Sequence, residues 1–208
     1  MTMSSGETVL KARRKIRIPR IETGPLTLFF REFCKHPAMI GSIIPSSDKL
    51  IERMLSKVDW NATRVFVEYG PGVGTFTRPI LDRLADDGVL IAIDTNPDFI
   101  TYLKRTIADP RLVLVNGSAA DVRTILANHG HENADYVLSG LPFSTLPPGV
   151  GPAIMHETHG VLQTGGAFVV YQYALKVLQL MRPYFQRIDR DFEPFNIPPA
   201  QVFWAWKD

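Results

Sequence analysis

The stretch "VEYGPGVGTF", residues 67–76, places three glycines at alternate positions directly behind an apolar run that carries one acid, Glu68. An apolar run that ends in glycines predicts a turn from a buried strand into a helix. Because Gly70, Gly72 and Gly74 lack side chains, backbone amides and the helix N-terminus can approach a ligand there. The stretch therefore predicts an α/β fold with a ligand site at its first strand-to-helix turn.

The rest of the chain alternates in the same way. Runs rich in Val, Ile and aromatic residues predict strands at 64–69, 88–93, 111–115, 135–139, 166–172, 184–190 and 201–207. Between the first five predicted strands lie segments with helical character, at 75–86, 97–108, 119–128 and 149–163. Apolar residues at helical spacing also predict earlier helices at about 25–36 and 46–58. This alternation predicts a doubly wound, mostly parallel, seven-stranded Rossmann-like sheet. After residue 183 the pattern of strand, loop and strand predicts an antiparallel pair at the edge.

Composition bounds the domain count and the location. A chain of 208 residues, 45% of them hydrophobic, is long enough for one sizeable core with an appendage. The single cysteine, Cys34, excludes an internal disulfide and suits a reducing compartment. The longest apolar candidate, 165–181, contains Gln172, Lys176 and Gln179, so we expect no membrane-spanning helix. The first thirty residues lack a signal-peptide segment, so we expect a cytoplasmic protein.

Several ligand classes are disfavoured by the motifs that are missing or altered. The dinucleotide-binding pattern Gly-x-Gly-x-x-Gly/Ala requires a small residue at its last position, which is occupied here by Thr75. A nicotinamide cofactor is therefore disfavoured. The sequence has no Gly-Lys-Ser/Thr for a phosphate loop and no Gly-x-Ser-x-Gly nucleophile elbow. His156 and His159 lie three apart with no evident third ligand, so we expect no metal.

Two acids flank the glycine turn and indicate a different ligand. Asp94 closes the second predicted strand in "VLIAIDTN", where a carboxylate can accept hydrogen bonds from both hydroxyls of a ribose. Glu68, two residues before Gly70, is placed to hold a cationic amino group. The alternative is that Glu68 is a partly exposed strand residue and Asp94 an ordinary helix cap before Pro97.

The combination of Glu-x-Gly-x-Gly-x-Gly and an acid at the end of the next strand resembles the S-adenosylmethionine site of class I methyltransferases. The resemblance covers about residues 60–207 and implies a metal-free site that leaves S-adenosylhomocysteine as its product. Where many members carry an acid after the third strand, "VNGSAADV" offers Ser118, with Asp121 three residues later. The cofactor contacts that the resemblance implies are Pro45, Ser46, Glu68, Gly70, Gly72, Gly74, Thr75, Asp94, Thr95, Ser118, Ala119 and Ser139.

Three further stretches bear on the acceptor. "LSGLPFST", residues 138–145, resembles the Asn-Leu/Ile-Pro-Phe/Tyr signature of ribosomal RNA adenine dimethyltransferases, with Gly140 in place of the asparagine. Together with "GSIIPSSDKL" (41–50) and "NIPPAQVFWAW" (196–206), it resembles bacterial phospholipid N-methyltransferases. That resemblance implies methylation of the amine of phosphatidylethanolamine or a similar aminolipid. An RNA adenine or small-molecule N-methyltransferase is the alternative, followed by a cofactor-binding protein without catalysis.

Methyl transfer to an amine requires precise placement of the methyl donor and the amine more than it requires a strong base. Carbonyls of Ser139 or Leu141 are predicted to orient a neutral amine, and Phe143 to shape its pocket. Tyr171 and Tyr173 are predicted to contact the head group or its cationic products through their ring faces. The alternative for these tyrosines is that they are ordinary aromatic residues of a strand.

A basic tract gives the expected partner. "KARRKIRIPR", residues 11–20, holds six Lys/Arg and no acid, and Leu26, Phe29, Phe30 and Phe33 follow it. Residues 11–33 are therefore predicted to bind an anionic membrane at its inner face, with a solvated tail or an RNA-binding arm as alternatives. We accordingly divide the chain into a membrane-contacting lid, 1–59, and a catalytic domain, 60–208. No obligatory protein partner and no nucleic acid are expected.

Overall fold

Seven strands form one sheet within residues 48–173, 175–196 and 199–208, the part of the chain that the computed structural model describes. The helices are α1 (Asp48–Leu55), α2 (Thr77–Leu81), α3 (Pro97–Thr106), α4 (Val122–Asn128), α5 (Val150–Val161) and α6 (Lys176–Met181), with a 3-10 turn at Ala119–Asp121. The strands are β1 (Val65–Tyr69), β2 (Val89–Asp94), β3 (Leu112–Asn116), β4 (Ala134–Ser139), β5 (Leu162–Gln172), β6 (Arg187–Glu193) and β7 (Ala200–Trp206).

The sheet order is β3-β2-β1-β4-β5-β7-β6. Strands β1 to β5 are parallel, and β7 runs antiparallel to both β5 and β6. The predicted doubly wound sheet with an antiparallel pair at its edge is thereby confirmed. Because β6 runs in the same direction as β5, the C-terminal ends of β1, β2, β4, β5 and β6 share one edge of the sheet, hereafter the C-terminal edge.

Three segments differ from the sequence prediction, and the first is α2, which ends at Leu81 rather than at residue 86. Strand β5 begins at Leu162, directly after α5, because Leu162 pairs with Ala134 and the Gly165 N–H donates to the Lys207 carbonyl, 2.8 Å away. Helix α6 was not predicted, and β6 begins three residues later than expected. The residues before β6 complete the end of α6 instead, since the N–H groups of Tyr184 and Phe185 both donate to the Met181 carbonyl.

The core lies on both faces of the sheet. Helices α4, α5 and α6 cover one face, hereafter face A, whose largest buried side chains include Phe168 and Phe203. Helices α1, α2 and α3 cover face B, around Phe66, Leu103 and Trp204. The alternation of inward residues along each strand fixes these two sets, because successive side chains of a strand point to opposite faces.

Helix α1 is fastened to the antiparallel end of the sheet. The indole N–H of Trp204 donates to the Met54 carbonyl, 3.0 Å away. Arg53 pairs with Asp191 at 2.6 Å and with the buried Glu193 at 3.0 Å. The division of the chain at residue 60 stays a prediction, because residues 1–47, including the helix expected at 25–36, lie outside the described residues. Among the described helices, none has the length and hydropathy needed to cross a bilayer.

Candidate functional site

The loops at the C-terminal edge hold each other in place. The Gly70 N–H donates to the Ile93 carbonyl of β2, and the Gly140 N–H donates to the Tyr69 carbonyl of β1, each over 2.9 Å. The turns that follow β1 and β4 are thus tied to neighbouring strands by their own backbones. This arrangement brings the three sequence motifs around Glu68, Asp94 and Ser139 to adjacent positions of one edge.

The glycine turn after β1 has left-handed backbone at all three of its glycines, with φ of 65°, 56° and 88° at Gly70, Gly72 and Gly74. A Cβ on Gly74 would lie 2.8 Å from Leu103 Cδ2, so Gly74 allows the turn to pack on α3. A Cβ on Gly72 would meet no atom within 4 Å, so open space lies in front of this residue. The two glycines therefore serve different ends, close packing at Gly74 and access for a ligand at Gly72.

Asp94 faces the glycine turn from the end of β2. Its Oδ2 accepts from the Gly72 N–H at 3.3 Å, and its Oδ1 accepts from the Asn96 N–H at 2.8 Å. Burial raises the pKa of Asp94, and the two backbone N–H donors oppose this increase. Each carboxylate oxygen can accept more than one hydrogen bond, so the fixed carboxylate retains capacity for the hydroxyls of a ligand.

Glu68 is deeply buried, with 1% of the residue exposed, which excludes the alternative of a partly exposed strand residue. The Thr77 hydroxyl donates to Glu68 Oε2 at 2.7 Å. Burial raises the pKa of Glu68 to about 8; the Thr77 hydrogen bond lowers it, and the negative charge of nearby Asp94 raises it. Since a buried carboxyl is ionised readily only beside a cation, Glu68 is suited to a positively charged ligand. Sequence reasoning missed Thr77, which gives no signal beyond its place in the first turn of α2.

The turn after β4 presents backbone and amide groups. Ser139 is fully buried, and its Oγ accepts from the Leu141 N–H at 3.1 Å. The Leu141 carbonyl accepts from Gln172 Nε2 at 2.8 Å and from the Phe143 N–H at 3.0 Å. Leu141 therefore already has a donor for each lone pair, while Gln172 Oε1 receives no donor from the residues that the structure describes. Gln172 is a site residue that sequence reasoning treated only as a strand position.

The surroundings of Gly140 disfavour a side chain at this position, where the RNA-methylating signature has asparagine. A Cβ on Gly140 would lie 3.0 Å from the Gly70 carbonyl oxygen and 3.9 Å from the Tyr171 hydroxyl. A side chain here would press on the backbone of the glycine turn, and backbone yields less readily than a flexible side chain. The close approach of these two turns therefore favours glycine.

The predicted aromatic residues reach the edge from opposite faces of the sheet. Phe143 belongs to face A and packs edge-on against Phe168, with ring centroids 6.2 Å apart. Tyr171 belongs to face B, with its ring centroid 5.6 Å from that of Phe76 and 6.4 Å from that of Tyr173. Phe143 and Tyr171 are each 7% exposed, so little of either ring face is open to a ligand.

The remaining predicted contacts lie at the margins of the site. Ser118 caps the 3-10 turn, where its Oγ accepts from the Ala120 N–H at 3.2 Å, and Ala119 beside it is buried. Thr95 is exposed directly after Asp94, and Thr75 is half-buried in the glycine turn. Pro45 and Ser46 lie outside the described residues. In the described part of the chain, no group of three or more His, Cys, Asp or Glu side chains is placed to hold a metal.

Comparisons with known proteins bear on the family and the fold of the chain. No protein-family model matches the chain. Over 180 residues the chain is 32% identical to the ornithine lipid N-methyltransferase of Singulisphaera acidiphila, a match that covers 86% of this chain and 94% of that protein. The N-methyltransferase NodS from Bradyrhizobium japonicum, solved with S-adenosylhomocysteine, superposes with a TM-score of 0.61 over 91% of both chains at 16% identity. The precorrin-6y C5,15-methyltransferase from Geobacter metallireducens gives 0.59 over 77% of this chain and 87% of that chain, at 17% identity.

The 32% identity to a lipid N-methyltransferase, together with this fold and its bare turn between the buried Glu68 and the half-buried Asp94, identifies a class I methyltransferase that uses S-adenosylmethionine. The chain belongs to the same family as the ornithine lipid N-methyltransferase of S. acidiphila. The described residues fit the cofactor on their own evidence. Open space lies before Gly72, the Asp94 carboxylate is fixed beside it, and Glu68 is a buried acid suited to a cation.

Proposed function

We propose that this protein methylates the amine of an aminolipid head group, such as phosphatidylethanolamine, at a membrane surface. The observation that carries the proposal is the similarity to an ornithine lipid N-methyltransferase across 86% of the chain. Gly140 gives secondary support, because the crowding at its Cβ position disfavours the asparagine of the RNA-methylating signature. The head group and the membrane are the specific parts of the proposal that experiment must test.

The cofactor-binding role falls to residues around the glycine turn. When bound, S-adenosylmethionine supplies an electrophilic methyl group on its sulfonium. Glu68 would hold the ammonium of the amino-acid part, and Asp94 would accept from the ribose hydroxyls. Thr95, Thr75, Ser118 and Ala119 would line the margins of the nucleoside, at the positions that they occupy in the turns after β2, β1 and β3.

The acceptor amine must lose a proton before it can attack. An amine with a pKa near 10.4 is neutral in fewer than about one molecule in a thousand at pH 7, a cost of roughly 4 to 5 kcal/mol. An enclosed site lowers that pKa by desolvation, and acceptors at Ser139 and Gln172 can then orient the neutral amine, whereas the predicted role of the Leu141 carbonyl fails because both of its lone pairs already accept hydrogen bonds. Positioning for in-line attack supplies most of the remaining acceleration, so the site requires no strong base.

The location that we propose is the cytoplasmic face of a membrane, with the protein bound peripherally. Residues 11–33 would contact the anionic leaflet through six basic side chains in 11–20, at about 1 kcal/mol each, and through the phenylalanines that follow. Replacing those six Lys/Arg by Gln in the full chain should weaken sedimentation with anionic vesicles and leave binding to neutral vesicles unchanged. Equal sedimentation of the two proteins would contradict this role for the tract.

The function is tested by asking which cellular fraction accepts the methyl group. The full chain is incubated with labelled S-adenosylmethionine and either a total lipid extract or total RNA, and the labelled lipids are resolved by head group. We expect label in aminolipids and none in RNA. An Asp94→Asn variant should lose the labelling, whereas the control Asp86→Asn, at an exposed turn away from the site, should keep it. Label in RNA alone would favour the alternative function.

A further inference from the structure

We propose that Leu175, Phe192 and Phe195 form a docking surface that inserts into a lipid bilayer and presents the acceptor side of the site to it. This surface is separate from residues 11–33, and its role in presenting substrate rests on the proposed function. Within the described residues these three are the exposed large hydrophobic side chains, at 46%, 44% and 70% exposure respectively. We call them the edge patch.

All three members of the edge patch lie at the C-terminal edge of the sheet. Leu175 follows β5, Phe192 is the penultimate residue of β6, and Phe195 lies in the connection from β6 to β7. Since β5 and β6 run in the same direction as β1, these residues share the edge that carries the glycine turn and Asp94. Scattered exposed hydrophobic residues are ordinary, but their restriction to the functional edge is informative.

The edge patch also lies on the acceptor half of that edge. The cofactor residues Glu68, Gly72 and Asp94 come from β1 and β2, whereas the edge patch comes from β5 and β6 at the other end of the strand order. The turn after β4, with Gln172 of β5 bonded to it, lies between the two groups. A bilayer at the edge patch would therefore face the acceptor turn and leave the cofactor half clear.

The charges around the edge patch fit a phospholipid surface. Arg53 pairs with Asp191 and Glu193 of β6, and Lys57 pairs with Asp189, the third acid of that strand. Lys49 Nζ lies 4.1 Å from the centre of the Phe195 ring, and Lys176 directly follows Leu175. Neither lysine has a carboxylate partner among the described residues. Two cations beside exposed apolar side chains complement lipid phosphates above an apolar interior.

The test measures binding to vesicles that contain no amine to methylate, so that docking is separated from turnover. The full chain is sedimented with vesicles of phosphatidylcholine, and with vesicles of equal parts phosphatidylcholine and phosphatidylglycerol. The Phe192→Ser/Phe195→Ser variant should bind both kinds at least about tenfold more weakly, because two rings no longer leave water. The control Asn133→Leu adds an exposed apolar side chain at the opposite edge and should leave binding unchanged.

A conservative variant keeps the proposal falsifiable if the double variant does not fold. Phe195→Trp should bind like the wild type, and brominated lipids should quench its added fluorescence. Unchanged binding of the folded double variant, or no added quenching, would overturn the proposal. The proposal would also be overturned if the double variant bound vesicles like the wild type but was less stable or formed a smaller assembly. That result would mean that residues 1–47 or a second copy of the chain cover the edge patch. If docking holds but no lipid is labelled, the proposed function fails and the docking surface remains.

Discussion

We expect the affinity for the cofactor to depend on pH, because the buried Glu68 is protonated in the free chain and must ionise when the cofactor binds. Its pKa of about 8, against an ordinary 4.5, means that about nine in ten free chains carry the protonated acid at pH 7. If the ammonium of the ligand holds Glu68 ionised, binding of S-adenosylhomocysteine at pH 7 should release about 0.9 proton per chain. The affinity should fall by about tenfold for each pH unit below 8, since one unit of pKa corresponds to 1.36 kcal/mol.

The same acid should also affect stability, with a defined sign. Between pH 4.5 and 8 the folded chain keeps a proton on Glu68 that the unfolded chain has lost, so stability falls as pH rises through this window and is level above it. The full difference is roughly 5 kcal/mol at about 1.4 kcal/mol per pH unit. Glu68→Gln should therefore match the wild type near pH 4 and exceed its stability by several kcal/mol at pH 8.

Two measurements check this reasoning. Calorimetric titration with S-adenosylhomocysteine in buffers of different ionisation enthalpy counts the protons released, and urea unfolding across the pH range gives the stability. In Glu68→Gln the affinity should be lower at pH 8 than in the wild type, and it should no longer fall tenfold for each pH unit below 8. The control Glu132→Gln, an exposed acid at the opposite edge, should behave as the wild type in both assays. Proton release that persists in Glu68→Gln would refute the assignment.

Three further substitutions test the acceptor turn and the anchoring of α1. Gln172→Leu should lower turnover by at least about tenfold while calorimetry finds cofactor affinity unchanged, because it removes acceptor positioning only. Gly140→Asn should lower stability in thermal unfolding by about 1 to 3 kcal/mol and weaken cofactor binding, because its Cβ would press on the glycine turn. Arg53→Met should cost about 1 to 3 kcal/mol in urea unfolding, because it leaves the buried Glu193 without its cation. The more exposed pair of Lys57 should be worth about 0 to 1 kcal/mol, and equal costs for Arg53→Met and Lys57→Met would contradict that explanation.

The sequence predicted those parts of the fold that depend on local pattern. Strand β1 and the glycine turn were recognisable because the apolar run and the glycines that end it lie next to each other in the chain. Helix α6 was missed because residues 175–181 continue the apolar composition of β5, and a short apolar segment has no period that separates strand from helix. The hydrogen bond from Gln172 to Leu141 joins residues 31 apart, so no local pattern reveals it.

The two halves of the site differ in how strongly residue chemistry alone specifies the ligand. Glu68 is buried and Asp94 half-buried, they lie close enough for the charge of Asp94 to raise the pKa of Glu68, and neither has a Lys or Arg partner among the described residues. Such a pair is costly without a ligand, and a ligand that brings a cation and hydroxyls relieves the cost, so this half specifies its ligand closely. The acceptor half offers acceptors at Ser139 and Gln172 and aromatic side chains, which many amines can satisfy. Under the proposed function, selection of a lipid amine would depend on which amines the edge patch and the basic tract bring to the acceptor turn, and changes to either surface should then alter substrate preference without altering cofactor affinity.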